Sequence, residues 1–204
     1  MDNIIRAFIV ANHDDITDFV TTCGTQAHGA ILSLGQDTFL QYGCRLQFGQ
    51  QSVIYLGWQD GKITVMPYNP ANDNIISFPF SGCLFGTFSY NNNIDYTFHI
   101  ATSPTATSDM RNKWENFCKI NRNHITNVRI YQPKKDLASQ YGQLWGVISN
   151  TGKCYSMGIG RKGDIDDKRC FYIEESRNIF LGAQAYTDCY RRTNWQSNSN
   201  IRIF

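Results

Sequence analysis

The chain has 204 residues, which suits one domain of ordinary size spanning residues 1–204. Hydrophobic residues make up 42% and charged residues 18%, a composition that excludes a wholly disordered chain. The formal net charge of +2 is too small for a protein that binds a phosphate backbone, so we expect no nucleic-acid partner.

The first third of the chain is predicted to be mostly β-structure after an apolar opening. Periodicity does not decide whether residues 4–10 form a strand or a helix, and residues 14–19 are predicted to start a short helix. Runs rich in Val, Ile, Leu and aromatic residues follow at 30–34, 45–48, 52–58 and 62–66. Asp60-Gly61 predicts a hairpin between the last two, because Asp-Gly accepts the positive φ angles of a type I′ turn.

The middle of the chain is predicted to carry two paired strands. Residues 68–74 have the composition of a loop, and Leu84–Tyr90 and Ile94–Ile100 follow as strands. Three asparagines join these strands, and asparagine tolerates the left-handed backbone region. His99 shares the polar face of its strand with Asp95 and Thr97, so we expect a cleft to form against that face.

A helix and a second group of strands complete the predicted elements. Residues 109–121 are predicted to be helical, with Ser108 as the N-cap, because Met110, Trp114, Phe117 and Cys118 form one apolar stripe. Further strands are expected at 127–131, 144–149, 154–159, 170–174 and 178–181.

The cysteines and the start of the chain bear on its compartment. Seven cysteines leave at least one unpaired, and their spacing with the four histidines predicts no structural zinc. The first residues lack the pattern of a secretory signal peptide, and no run approaches the roughly 18 apolar residues of a membrane span. We therefore expect no metal, no membrane association and a reducing working compartment.

Cys83 and His99 are the candidate catalytic residues. Cys83 directly follows Ser81-Gly82, and His99 lies near the end of the second strand. A cysteine beside a histidine provides a thiolate nucleophile and its base for attack on a carbonyl, and an imidazolium lowers the pKa of the thiol. Gly82 has no Cβ, so the backbone at Ser81 and Gly82 can bring N–H groups close to a bound carbonyl. The alternative is structural, since a cysteine in a strand is usually a small core residue.

The segments 77–83 and 96–100 resemble the catalytic region of the cytotoxic necrotising factor family of glutamine deamidases. The resemblance is closest to the small, single-domain branch of the lethal factor type. In that family a Leu-Ser-Gly-Cys motif carries the nucleophile; here Phe80 replaces the leucine, Cys83 matches the nucleophile and His99 the base. Ser77 falls where the lethal factor branch has a threonine that completes its triad, whereas other members use a backbone carbonyl.

The resemblance implies an α+β fold, with a central β-sandwich of mixed and antiparallel strands flanked by helices. It implies a thiol at the floor of a narrow pocket and no cofactor. The chain would be a monomeric bacterial toxin or effector, secreted or injected, that acts in the host cytosol. Its partner would be a host protein bearing the substrate glutamine, either a Rho-type GTPase or a translation initiation helicase.

Two alternatives remain open on the sequence. The same Cys-His pair would also serve a transglutaminase, which uses an amine in place of water, or a cysteine protease, which cuts the main chain. A non-catalytic β-sandwich module would instead use aromatic residues such as Trp58, Trp145 and Trp195 as a binding surface.

Overall fold

The computed structural model of the chain describes residues 1–101, 107–133, 143–160, 169–176, 180–181 and 202–203. Cys189 and Trp195 lie outside these residues, as do positions 178–179 of the strand predicted at 178–181. The described helices are α1 (Asn3–Val10), α2 (His13–Gln26) and α3 (Thr107–Ile120). The strands are β1 (His28–Leu34), β2 (Asp37–Phe48), β3 (Gln51–Gly57), β4 (Ile63–Tyr68), β5 (Asn74–Phe78), β6 (Leu84–Tyr90), β7 (Ile94–Ile100), β8 (Ile125–Tyr131), β9 (Gln143–Ile148), β10 (Cys154–Gly160), β11 (Arg169–Glu175), β12 (Phe180–Leu181) and β13 (Arg202–Ile203).

The helices follow from local sequence signals. The apolar opening is a helix, because Ile4, Ile5 and Phe8 fall on one side of α1 and are buried together. Asn12 begins α2 with a capping box, in which its side chain accepts from the N–H of Asp15 and the Asp15 carboxylate accepts from the N–H of Asn12. Helix α3 buries its predicted stripe, with Trp114 and Phe117 fully inside. Among the described residues, no helix is long and apolar enough to cross a membrane.

All described strands belong to one mixed sheet that curls into a half-barrel. The order along the sheet is β12-β8-β6-β7-β4-β2-β3-β5-β9-β10-β11-β13, and β1 pairs with β2 beside this path. Most neighbours are antiparallel, but β2 with β4 and β3 with β5 are parallel. The predicted α+β class is confirmed, whereas the two facing sheets of a sandwich are not.

Alternate residues of the strands face two different environments. On β3, Val53 and Tyr55 join an outer cluster with α1 and α2, whereas Ile54 and Leu56 join an inner cluster. The inner cluster draws residues from both ends of the sheet, from Tyr131 on β8 to Cys154 on β10. A second outer cluster packs α3 against β4, β6, β7 and β8. The helices therefore cover the convex surface. On the concave surface, side chains from distant strands of the sheet pack against one another.

The β6–β7 pair is confirmed, and the hairpin at Asp60-Gly61 is wrong. The two strands have the predicted bounds, and Asn91 and Asn92 between them have φ angles of 54° and 55°. At the other turn only Gly61 has a positive φ, so the backbone does not form a type I′ turn. The flanking strands pair elsewhere, β3 with β2 and β5, and β4 with β2 and β7.

Candidate active site

Ser77 and His99 meet across the concave surface of the sheet. Ser77 lies on β5 and His99 on β7, and β4, β2 and β3 separate these strands along the sheet. Four strand spacings would place the two residues about 19 Å apart in a flat sheet. Ser77 Oγ nevertheless lies 2.8 Å from Nδ1 of His99. The contact between them therefore depends on the curl of the sheet.

The hydrogen bonds of Ser77 determine the tautomer of His99. Ser77 Oγ is 2.6 Å from the carbonyl oxygen of Leu56, and a carbonyl can only accept. The single hydroxyl hydrogen of Ser77 is therefore donated to Leu56, and Oγ accepts from Nδ1–H of His99. A neutral imidazole protonated at Nδ1 carries its lone pair on Nε2. The site thus presents Nε2 as a proton acceptor.

Burial keeps this imidazole neutral. His99 and Ser77 are almost completely buried, and desolvation lowers the pKa of His99 to about 3. Nε2 is itself buried and has no hydrogen-bond partner among the described residues. A buried polar atom left in this state is uncommon and costs free energy, so it calls for an explanation. One such explanation is that Nε2 accepts a proton during a reaction.

Phe80 fixes the plane of the imidazole. Its ring stacks on His99 with centroids 4.3 Å apart and an interplanar angle of 4°. The Phe80 N–H donates to the carbonyl of Leu144 at 3.0 Å, which ties this segment to β9. Gly146 on β9 makes room for the aromatic ring, since a Cβ there would lie 2.9 Å from Phe80. The ring of His99 is thus held by a hydrogen bond at one nitrogen and by a stacked face.

Cys83 comes directly before β6, the strand that pairs with the strand of His99. Phe85 on β6 pairs with His99, and Cys83 precedes Phe85 by two residues, so both face the concave surface. Phe80, which stacks on His99, links that imidazole to the cluster containing Cys83. Cys83 belongs to the same inner cluster as Phe80 and Phe85. The structure therefore brings Ser77 and His99 into contact and places Cys83 in the apolar cluster that adjoins the imidazole.

The turn before Cys83 reaches the surface of the protein. Pro79 and Ser81 are exposed, whereas Gly82 and Cys83 are buried. Gly82 has a φ of 130°, a backbone conformation that favours glycine. The N–H of Gly82 makes no hydrogen bond among the described residues, and its carbonyl accepts from Nε2 of Gln132 at 2.6 Å. Nothing in the sequence pointed to Gln132, because it approaches from the end of β8.

Two expectations about the site need correction. The face of His99 was expected to border a cleft, but it lines the closed inner side of the curl, and Cys83 is only 2% exposed. The thiol was expected to be activated by an imidazolium, but His99 is neutral because its pKa is low. The region therefore contains a buried, neutral imidazole and a buried cysteine.

Four other cysteines have described side chains, and all four are buried. Cys23, Cys44, Cys118 and Cys154 are buried thiols, and burial raises the pKa of Cys118 and of Cys154 to about 12. Within the described residues, no group of three or more His, Cys, Asp or Glu side chains is placed to hold a metal ion.

Comparison of the chain with protein-family models, with curated proteins and with solved structures found no match. The assignment of function therefore depends on the geometry above and on the residues that carry the family resemblance.

Proposed function

We propose that the chain is a cysteine-dependent glutamine deamidase that converts one glutamine side chain of a host protein to glutamate. The observation that supports this most is the state of His99. Its Nδ1 is held by Ser77, and its Nε2 has no partner among the described residues. An imidazole with an available ring nitrogen, beside the cluster that holds a cysteine, is an arrangement that acyl chemistry uses.

The reaction begins with transfer of the Cys83 proton to Nε2 of His99. The sulfur attacks the carboxamide carbon, and the electron pair of the C=O bond moves to the oxygen. The N–H of Gly82, which has no acceptor among the described residues, is placed to donate to this oxyanion together with its neighbours in the turn. Ser77 keeps the imidazole in the productive tautomer throughout.

The intermediate collapses when the carbon–nitrogen bond breaks. His99 returns its proton to the departing nitrogen, so ammonia leaves and Cys83 holds a thioester. His99 then takes a proton from water as the water oxygen attacks the thioester carbon. The carbon–sulfur bond breaks, the sulfur recovers the proton, and the product is glutamate. One water is consumed and one ammonia released.

The depth of Cys83 favours a side-chain amide over a peptide bond as substrate. Cys83 is 2% exposed beneath a turn whose Pro79 and Ser81 reach the surface. A thin carboxamide side chain inserted beside this turn reaches such a sulfur, whereas a folded main chain does not. This argues against the protease alternative. The resemblance supports the finer proposals: a sandwich-type fold, a toxin or effector that acts in the host cytosol, and a Rho-type GTPase or a translation initiation helicase as target.

The burial of the site also favours a second candidate, a non-catalytic binding module. In that case Cys83 is one more apolar side chain beside Phe80 and Phe85, and the imidazole is a packing element. This candidate does not explain why Nε2 of His99 is buried without a hydrogen-bond partner among the described residues. It predicts that replacement of Cys83 changes stability alone.

The experiment that tests the proposal is a survey of glutamine-to-glutamate changes in host lysate after incubation with the chain. Deamidation adds about one dalton to a peptide, whereas cleavage or amine addition gives other products. The matched control is Cys154→Ser, because Cys154 is a thiol of the same inner cluster and is 1% exposed. Cys83→Ser should abolish the change and Cys154→Ser should retain it. Loss in both variants, or in neither, would reject the proposal.

A further inference from the structure

An open groove of about 470 Å³ lies between α1, α2 and the turn that joins β2 to β3. At its bottom are Phe19 on α2 and Phe48 on β2, which are 5% and 6% exposed and whose ring centroids are 4.8 Å apart. Ala7 and Ala11 form the wall on the side of α1, and Val10 at its rim is 81% exposed. The groove is therefore apolar at its bottom and along α1, and its volume is in the range of pockets that hold ligands.

The wall that α2 contributes is acidic. Asp15 and Asp18, one helical turn apart, line the groove and are exposed, and none of the residues that line it is basic. The Asp15 carboxylate accepts from the N–H of Asn12, whereas Asp18 has no hydrogen bond or ion pair among the described residues. The groove therefore has at least one carboxylate that no described side chain pairs with.

The helix ends beside the groove have the same preference for positive charge. Helix α1 ends at Val10 with no basic residue in its last turn, so the partial negative charge of its last carbonyl groups is not offset there. The N-terminus of α2 carries the opposite partial charge, but Asn12 and Asp15 already cap it. The combined field therefore favours a cation, and an anionic surface such as nucleic acid or an acidic membrane is a poor fit.

We propose that the groove binds a segment of a partner protein in which an apolar side chain lies next to a lysine or an arginine. Charge complementarity selects this occupant, because Asp18 pairs with the cation while Val10 and the alanine wall contact the apolar side chain. The groove lies over the outer cluster of α1 and α2, whereas Ser77 and His99 face the inner side of the curl. The proposal therefore does not depend on the proposed function, and the two can fail separately.

The two parts of the ligand bind through different forces, so their contributions can be measured separately. Burial of a leucine against Val10 and the alanine wall should tighten binding about tenfold relative to serine, because an open groove covers only part of the side chain. An exposed ion pair with Asp18 is weaker and should contribute about threefold. Only the contribution of the ion pair should decrease as salt is added, since salt screens exposed charges.

Titration of the isotopically labelled chain with four short peptides, followed by NMR of its backbone amides, tests the groove. The peptides consist of Gly and Ser around a central pair, which is Leu-Arg, Ser-Arg, Leu-Gln or Ser-Gln. The Leu-Arg peptide should bind most tightly and shift the amide signals of Thr22 and Gly49, which line the groove. Asp18→Asn should remove the preference for arginine and retain the preference for leucine. The matched control is Asp60→Asn, which removes the same charge from an exposed turn outside the groove.

Every result of these titrations either supports the proposed groove or overturns it. An arginine preference that survives Asp18→Asn, or that Asp60→Asn removes equally, overturns it, as does the absence of binding or a set of shifted amides without Thr22 and Gly49. Sedimentation of the wild type tests another occupant: a dimer that Val10→Ser converts to a monomer shows that a second copy fills the groove, which also overturns the proposal. In a monomeric chain Val10→Ser should lower the leucine preference without unfolding the protein, because Val10 is 81% exposed.

Discussion

Replacing Ser77 with threonine and with valine separates its hydroxyl from its shape. Both substitutions add bulk at a site with no exposure, and both residues are β-branched and suited to a strand. They differ in the hydroxyl that donates to Leu56 and accepts from Nδ1 of His99. A comparison of Ser77→Thr with Ser77→Val therefore isolates these two hydrogen bonds from the cost of the extra carbon.

The structure indicates how large the difference should be. In Ser77→Val the carbonyl of Leu56 loses this donor and Nδ1–H of His99 loses its acceptor, in a region closed to water. A buried polar group left without a partner costs about 1–3 kcal/mol. We therefore expect the valine variant to be less stable than the threonine variant by about 2 kcal/mol or more. Its activity should also be about tenfold lower, because the tautomer of His99 is no longer determined.

Urea unfolding followed by tryptophan fluorescence measures the first difference, and the slope of the transition should be the same in both variants. The nitrogen chemical shifts of the His99 ring report the tautomer, which should be Nδ1–H in the threonine variant. Equal unfolding midpoints for the two variants, or a proton on Nε2 in the wild type, would refute the reasoning about Ser77.

Three further predictions concern His99 and the turn before Cys83. The pKa of His99 is about 3 in the folded state and about 6.5 in the unfolded state, so between these pH values the unfolded state binds a proton that the folded state does not. The free energy of unfolding should therefore decrease by about 1.4 kcal/mol for each unit by which the pH is lowered from about 6.5 to about 3. The difference from His99→Gln in urea titrations should show this slope. Gly82→Ala should destabilise more than Gly49→Ala, since φ is 130° at the former and 58° at the latter; similar unfolding midpoints would contradict a strained turn. Gln132→Leu leaves the Gly82 carbonyl without its donor and should lower the turnover number more than it changes KM in steady-state kinetics; an unchanged turnover would show that Gln132 has no role in positioning the turn.

Local sequence signals predicted the elements that depend on local chemistry. The β6–β7 pair was predictable because its asparagine turn fixes the backbone, and α3 because its apolar residues repeat with helical spacing. The pairing of β2 with β4 and of β3 with β5 was not predictable, since parallel neighbours are set by contacts distant in sequence. The Asp60-Gly61 signal failed for the same reason: the turn formed, but its strands found other partners.

The catalytic candidates were predictable only in part. Spacing and resemblance selected Ser77, Cys83 and His99, and the curl of the sheet is what brings Ser77 to His99. The low pKa of the imidazole follows from closure of the concave surface, which no residue pattern reveals. The stacking of Phe80 likewise depends on how the turn folds back over the sheet.

The rate at which iodoacetamide alkylates Cys83, relative to Cys154 in the same folded chain, tests the central claim most directly. The two thiols are 2% and 1% exposed and belong to one cluster, so access alone does not distinguish them. We expect Cys83 to react at least about tenfold faster at neutral pH, because Nε2 of His99 takes its proton as the sulfur attacks, while burial raises the pKa of Cys154 to about 12. The excess should disappear in His99→Gln. Equal labelling of the two cysteines, or a Cys83 rate that His99→Gln leaves unchanged, would contradict the account.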